Sequence, residues 1–589
     1  MAFAVVYLPY LPEQALTAMS IFIGFFKNKK VQTILAPLLK LCEAVLELFV
    51  PIVVAQIIDV GLPSGDAAFI WGRCAILVAL GVAGLCFSVS SQYMSAVSAT
   101  GFASSLRRAL YAKINELSFA DLDKAGAASI VTRMTGDVDR LQTGVNMGLR
   151  LFLRSPFVVF GAVIMAFCVD AISATVFAVV VPLLAVVVFV ILISGIGLYK
   201  KSQSGLENVT LLTSENVTGV RVLRAFAKEE EEKERFSGAN GAYTKAQLVA
   251  GRVSALLNPL TYVIINAAII ALLFVAGERV NTGALTKGQA VALYNYLSQI
   301  LVELIKFANL IITVSRAGAS GKRVGELLKT PPLQSFTDKE VKPVVSDVAL
   351  RFENVSLRYG DGANALENVS FEVKKGEIFG IIGGTGSGKS SLLNLIPRFY
   401  DATDGSVLVE GVNVNEYPKK QLRDKIAIVM QKPFLLTDTV KNNICFGDCD
   451  EGRLNEAIEV SQCADVIRGK KNGIEEKVLR GGSNFSGGQK QRLSIARALY
   501  KDADILLMDD ASSALDNITE RKLREGIARL GKTVVMTSQR TSGLQCADRI
   551  LVLDEGKAVA CGTHEELLET CALYREIYEL QNVGSGGEQ

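Results

Sequence analysis

Histidine is almost missing from this chain: one residue in 589, His564. That single imidazole, in the run "GTHEEL", excludes zinc sites built from several histidines and any Ser-His-Asp triad it does not itself serve. A surface turn is expected for it. Cysteine is scattered, ten residues from Cys42 to Cys571, with no pair at C-x-x-C spacing and only Cys445 and Cys449 close together. Neither a disulfide framework nor a thiolate metal site is expected. Net charge is scarce too, since 62 Lys and Arg against 59 Asp and Glu leave only +3, which gives no reason to expect nucleic acid. What the chain has in excess is apolar character: 50% hydrophobic residues, 21% charged, and a mean hydropathy of +0.33. Soluble proteins of this length rarely tolerate that balance, so part of the chain belongs in lipid.

The length allows several domains, and the text changes character part-way along. Up to about residue 320, apolar runs near the ~20 residues that span a bilayer recur between polar gaps. Six spans are expected, near 33–58, 70–92, 149–169, 172–198, 255–277 and 289–314. The gaps alternate: "GLPSGD", "VDA" and "GERVNTGALTKG" are short, whereas 93–148 and 199–254 are long and helix-patterned. The long gaps carry Arg107, Arg108, Lys113, Arg133, Arg140, Lys200, Lys201, Arg221 and Arg224, which puts them, and both termini, in the cytoplasm by the positive-inside tendency. The run "KEEEEKER" reads as a solvated helix face with pairs Glu229–Lys233 and Glu231–Arg235 at i,i+4. The opening residues, 1–20, lack a basic region and a cleavage site, so an interfacial segment is expected, with Met19 as an alternative start.

The organisation expected is an all-α six-helix transmembrane domain at 1–330, a Pro-interrupted linker at 331–346, an α/β P-loop domain at 347–581 and a tail at 582–589. In that α/β domain "IFGIIGGTGSGKSS" fits G-x-x-x-x-G-K-[ST] after an apolar strand-like run. Gly383, Gly384, Thr385, Gly386, Ser387 and Gly388 let backbone N–H groups close around phosphates. Lys389 reaches the β/γ-phosphates, Ser390 ligates Mg²⁺, and Ser391 follows in the same turn. Downstream, "ADILLMDD" is a strand ending in Asp509, suited to hold Mg²⁺ through water. A second cradle follows. "NFSGGQKQRLSIARAL" sets Ser486, Gly487, Gly488 and Gln489 at the N-terminus of a helix, whose amides and dipole favour an anion. One P-loop needs no second cradle, so ATP is expected between two copies of such a domain.

With these motifs the chain resembles the ATP-binding cassette (ABC) exporters over nearly its whole length. The resemblance implies that Tyr359 stacks on adenine, that Gln431 senses Mg²⁺ for the membrane helices, and that "SALD" through Asp516 is the loop facing the other subunit. "TRMTGDVDRLQ" and "ENVTGVRVLRAF", with Glu215, Gly219 and Arg224, resemble the coupling regions. Two departures matter. Asp510 stands where the family has the Glu that polarises water, and Asp is shorter by one C–C bond, about 1.5 Å. Gln539 stands where the family has a switch His, and an amide cannot carry imidazolium charge. Catalysis therefore rests on Asp510, Gln539 and Gln431, in a site that binds ATP and Mg²⁺ and hydrolyses slowly. The pattern resembles one half of heterodimeric bacterial multidrug exporters, which implies a second half-transporter as partner, a cell-membrane location and an amphiphilic substrate. An active homodimer and an ATP-gated channel-like protein remain alternatives, and an importer is a weaker third. Leu479 replaces a Glu that in the family links the cassette to coupling helices.

Charges also occur inside the spans: Lys40, Glu43 and Glu47 in the first, Glu303 and Lys306 in the sixth. Intramembrane charges are candidates for substrate contact. Mutual pairing is the competing expectation.

Overall fold

The structure, a computed structural model, describes residues 22–342, 344, 346–360 and 362–582. The expected interfacial segment at 1–20 and the tail beyond Asn582 lie outside the described residues. Two compact units are present: one holds the chain up to Asn115 together with Ala127–Thr330, the other Glu116–Gly126 and the chain from Pro331 onward.

The first unit is helical. Its main elements are α1 (Lys30–Gln56), α2 (Ala67–Glu116), α4 (Val138–Leu151), α5 (Arg154–Val169), α6 (Ala171–Ala225), α7 (Glu229–Ala255), α8 (Leu257–Asn281) and α9 (Lys287–Lys329), while α3 (Phe119–Ala125) belongs to the second unit. Six helical stretches are long and apolar enough to cross a membrane: Lys30–Ser64, Ala67–Glu116, Ala127–Val169, Ala171–Ala225, Glu229–Asn281 and Lys287–Lys329. Each contains one of the six expected spans, and the protein is a multi-pass membrane protein. Most run well past a bilayer's thickness because the long gaps are themselves helix-forming. The short gaps are caps. Asp170, in "VDA", accepts from the backbone N–H of Ser173 at 2.9 Å and pairs with Arg279 at 2.8 Å. Asp59 accepts from Thr286 Oγ1 at 2.5 Å and from the N–H of Gly288 at 2.6 Å, fixing the start of α9.

Four expectations are corrected. The glutamate run pairs at i,i+3 rather than i,i+4: Lys228–Glu231, Glu230–Lys233 and Glu232–Arg235. Both spacings lie on one helix face, and all these side chains stay wet apart from Glu232, so rotamer choice decides between them. The segment grouped with the ATPase unit is Glu116–Gly126, not "TRMTGDVDRLQ". That motif instead packs along α9, where buried Asp137 accepts from Arg323 and Ser320. His564 opens a helix, His564–Thr570, and its Nδ1 lies 2.7 Å from the Tyr574 hydroxyl. Cys445 and Cys449 form a disulfide, while the other eight cysteines are free.

The second unit is built on two sheets. β1 (Val348–Arg358), β2 (Asn364–Lys374), β4 (Asp404–Val409) and β5 (Val412–Asn413) form an antiparallel sheet in the order β2-β1-β4-β5. The other sheet runs β10-β9-β3-β8-β7-β6 and uses β3 (Ile378–Ile382), β6 (Ile426–Val429), β7 (Ile505–Asp509), β8 (Thr533–Ser538), β9 (Arg549–Asp554) and β10 (Lys557–Gly562). All its pairings except β10–β9 are parallel. β7 and β8 are buried at every position, as the apolar runs "ILLM" and "TVVM" require of parallel strands covered on both faces. Ligands bind beyond the carboxyl ends of such strands. That edge carries the motifs.

Candidate functional site

Four adjacent strands deliver the functional side chains to one edge. β3 ends in the glycine loop and α10 (Lys389–Leu395), β7 ends in Asp509 and Asp510, β8 ends just before Gln539, and β6 ends two residues before Gln431. Gly388 has φ +100, and a Cβ there would stand 2.7 Å from the Ala365 carbonyl oxygen, so the loop closes this tightly only with glycine. Gly384, Thr385 and Gly386 form its exposed rim, while Ser387 and Lys389 are buried.

In this arrangement Lys389 Nζ donates to the carbonyl oxygens of Gly383 and Gly384, at 2.7 Å each, and to Ser387 Oγ at 3.3 Å. Burial lowers its ammonium pKa despite the opposing carboxylates Asp510 and Asp509. Ser390 Oγ donates to Asp509 Oδ1 at 2.9 Å, and Thr537 Oγ1 donates to the same oxygen at 2.9 Å. A hydroxyl and a carboxylate facing each other are hard oxygen donors of the kind Mg²⁺ takes, and an open glycine rim beside a buried ammonium suits a polyphosphate. Among the described residues no group of three His, Cys, Asp or Glu side chains forms a metal cage, so phosphate and water would complete any such shell.

Asp510 is held firmly. Its φ is +46, its N–H donates to Thr537 Oγ1 at 2.9 Å, and its carbonyl accepts from Ser513 Oγ at 2.9 Å and from Gln491 Nε2 at 3.4 Å. Burial, together with the Asp509 charge, raises its carboxyl pKa, although a hydrogen bond from Gln431 and the charges of Lys389 and Arg540 pull the other way. Gln539 is exposed, and its carbonyl accepts from Gln581 Nε2 at 2.8 Å, on α14 (Ala572–Asn582). Gln581 also accepts from the N–H and hydroxyl of Thr541. Sequence reasoning missed this clamp, and no local signal marks a residue whose partner lies 42 positions away.

The SGGQ segment stands at the N-terminus of α12 (Gly487–Tyr500). Ser486 and Gln489 form a reciprocal capping box, with Gln489 Oε1 accepting from the Ser486 N–H at 3.0 Å. Ser486 and Gly487 are exposed. Gly488 abuts the chain after β7, where a Cβ would stand 2.7 Å from the Ala514 carbonyl oxygen. Asp516 caps α13 (Asn517–Ala528) by accepting from the Thr519 N–H at 3.0 Å. Tyr359 is 41% exposed, lies against Ser391 and Asn394, and meets Tyr400 edge-on at 5.0 Å between centroids. Tyr400 in turn donates to Asp123 of α3 at 2.5 Å, and Phe119 of α3 packs on Phe399 at 4.6 Å. Leu479 is 55% exposed.

Comparison with known proteins agrees with this geometry. Residues 33–304 match the ABC transporter transmembrane region family and residues 366–513 the ABC transporter family. An uncharacterized ABC transporter ATP-binding protein, YfiB, of Bacillus subtilis (strain 168) is 32% identical over 96% of this chain and 99% of its own length. An ATP-dependent lipid A-core flippase of Syntrophus aciditrophicus (strain SB) is 30% identical over 89% of this chain and 87% of its own. The solved structure of a bacterial Atm1-family ABC exporter with ATP bound shares the fold with a TM-score of 0.79 at 23% identity, covering 94% of this chain and 98% of that one. The chain therefore belongs to the ABC transporters, as an ATP-binding half-transporter of exporter fold and a transport ATPase.

Proposed function

We propose that this chain is the degenerate-site half of a heterodimeric exporter, which moves amphiphilic compounds out of the cell with ATP and Mg²⁺. The observation that carries the reading is the split at the strand edge. The phosphate-gripping set of Gly388, Lys389, Ser390 and Asp509 is whole, whereas the two positions that assist water are Asp510 and Gln539. Lys389 binds the phosphates, Ser390 and Asp509 hold the metal with Gln431 beside them, and Tyr359 offers its ring to adenine. Ser486, Gly487, Gly488 and Gln489 complete the partner's site, with Asp516 in the loop between. One further feature fits a second chain: Phe226, 72% exposed, tips the turn between α6 and α7. By the positive-inside tendency of the Arg-rich long loops, that turn and the ATPase domain lie in the cytoplasm in this reading. The domain boundaries that go with this reading are 1–330, 331–346 and 347–581.

The test is asymmetry. In the complex purified from its native membrane, Ser486→Arg should nearly abolish steady-state ATP turnover, because it blocks the competent site. Asp510→Asn should lower turnover by less than about threefold, since the site it damages was already slow. Equal damage from the two would sink the heterodimer. One observation favours that second reading, an active homodimer: Asp510 is locked in place, hydrogen-bonded to Gln431 and raised in pKa, as a working base would be.

A further inference from the structure

The charges of the membrane unit converge on Arg154, at the start of α5. Only 6% exposed, it donates through Nη2 to Glu47 of α1 at 2.6 Å and through Nη1 to Glu303 of α9 at 2.5 Å. Glu303, 3% exposed, also accepts from Ser155 Oγ at 2.9 Å and Lys306 Nζ at 2.8 Å. Glu43 lies 4.0 Å from Arg154 and accepts from Lys40 at 2.5 Å, and Lys40 reaches Ser88 of α2 at 3.0 Å. Three carboxylates meet three cations, so the cluster has no net charge.

Its two ends are wetter than its middle. The Glu47 and Lys306 side chains are 40% and 42% exposed, against 7% and 4% for Arg154 and Glu303 between them. A charge turned toward acyl chains is costly even on the lowest scales, so the open side of this cluster faces the interior of the assembled transporter rather than lipid. Beside it lie buried polar atoms without partners: Arg154 Nε, Arg150 Nε one turn back on α4, and Gln299 Oε1 one turn before Glu303. Each such atom left unsatisfied is costly, so the cluster holds hydrogen-bonding capacity that it does not itself use.

We propose that this cluster, granted the exporter reading above, recognises the headgroup of the transported amphiphile and selects a zwitterion. An ammonium or similar cation of the substrate binds Glu47, and a phosphate or carboxylate binds Lys306. A polyanionic head can reach Lys306 with one of its charges, but its remaining charge is repelled by Glu43 and Glu47 at the other end. A purely cationic head meets Lys40, Arg154 and Lys306 in the same way. Only a guest with both signs matches the exposed acid and the exposed base at once, separated by one guanidinium and one carboxylate.

The test uses the full chain in nanodiscs of phosphatidylglycerol, which supplies no competing zwitterion. Equilibrium binding is measured for dodecylphosphocholine, dodecyl phosphate and dodecyltrimethylammonium below their micellar concentrations. The phosphocholine should bind about tenfold more tightly than either probe of a single sign. Glu47→Gln should bring it down to the level of the phosphate probe, and Lys306→Gln to that of the ammonium probe. Free phosphocholine should compete at higher concentration. Equal binding of all three probes, variants that weaken all three alike, or no competition by the free head would each overturn the assignment. ATP-driven uptake of a hydrophobic dye into inside-out native vesicles is followed in parallel. Uptake without headgroup selectivity rejects this site and leaves the exporter, whereas selectivity without uptake rejects the exporter and leaves the site.

Discussion

Restoring Asp510→Glu and Gln539→His together should turn a slow site into a fast one. The backbone of Asp510 is fixed on both sides, with its N–H on Thr537 and its carbonyl held by Ser513 and Gln491 at a left-handed φ of +46. The added methylene therefore cannot be absorbed by the main chain. It carries the carboxylate forward by about 1.5 Å, the length of one C–C bond. A misplacement of about 1 Å costs on the order of 10²-fold in rate, so the longer acid alone should recover most of one to two decades. The histidine adds a charged donor where an exposed amide now stands, which is worth more in the transition state than in the ground state. The assay is single-turnover hydrolysis of bound ATP by the isolated chain in nanodiscs, with nucleotide affinity measured alongside. Unchanged affinity with a rate gain of at least about tenfold is the expected result. Unchanged affinity and an unchanged rate would refute the geometric argument, because the site would then be limited by something other than reach.

The acid limb of the slow hydrolysis by this chain should lie above the ordinary aspartate range. Burial and the Asp509 charge raise the Asp510 pKa, so the carboxylate is protonated, and lost as a base, while pH is still falling toward that range; Asp510→Asn should erase the limb in a pH–rate profile. In the membrane unit, Arg154→Met should destabilise by about 3–5 kcal/mol, because it leaves the buried Glu303 charge without its main partner. Adding Glu303→Gln should recover much of that, and thermal unfolding in detergent reads both; no recovery in the double variant would show that packing, not charge, accounts for the loss.

The architecture was legible because two periodicities announce it. Apolar runs near bilayer length alternate with long amphipathic gaps, and then β-branched strands alternate with glycine turns. The candidate site was legible for a related reason. Phosphate chemistry demands glycines at fixed offsets from Lys389, and a strand that ends in an acid such as Asp509 needs an apolar run before it. What failed was whatever depends on a partner far along the chain. "TRMTGDVDRLQ" looked like a docking segment, yet its Asp137 is taken by Arg323, nearly two hundred residues on, and α3 engages the ATPase unit instead. Nothing local in "LSFADLDKAG" foretells that Asp123 meets Tyr400 or that Phe119 meets Phe399. Gln581 is hidden in the same way. Leu479 could be read as a departure, but its exposure follows only from the loop around it, where its N–H donates to Asn484 Oδ1 at 3.0 Å.

Arg154 is the instructive omission. Taken one helix at a time, the spans show Lys40, Glu43, Glu47, Glu303 and Lys306 and offer each acid only a lysine of its own helix. The structure pairs them that way in part, Lys40 with Glu43 and Lys306 with Glu303, and then adds a guanidinium from a third helix that binds Glu47 and Glu303 at once. A lysine ammonium can also bridge two acceptors, but only from a single point, whereas the planar fork of arginine presents two separate donors in fixed directions suited to two acids. Stability is a poor account of such a network, since apolar residues of similar volume often hold helices as well or better than a buried ion cluster. The polar atoms left over at Arg154, Arg150 and Gln299 make it poorer still, for a purely structural clasp would close its own hydrogen bonds. A cluster that joins three helices, balances its charge, keeps one acid and one base half-exposed and leaves donors unspent is better explained by what it admits than by what it holds together.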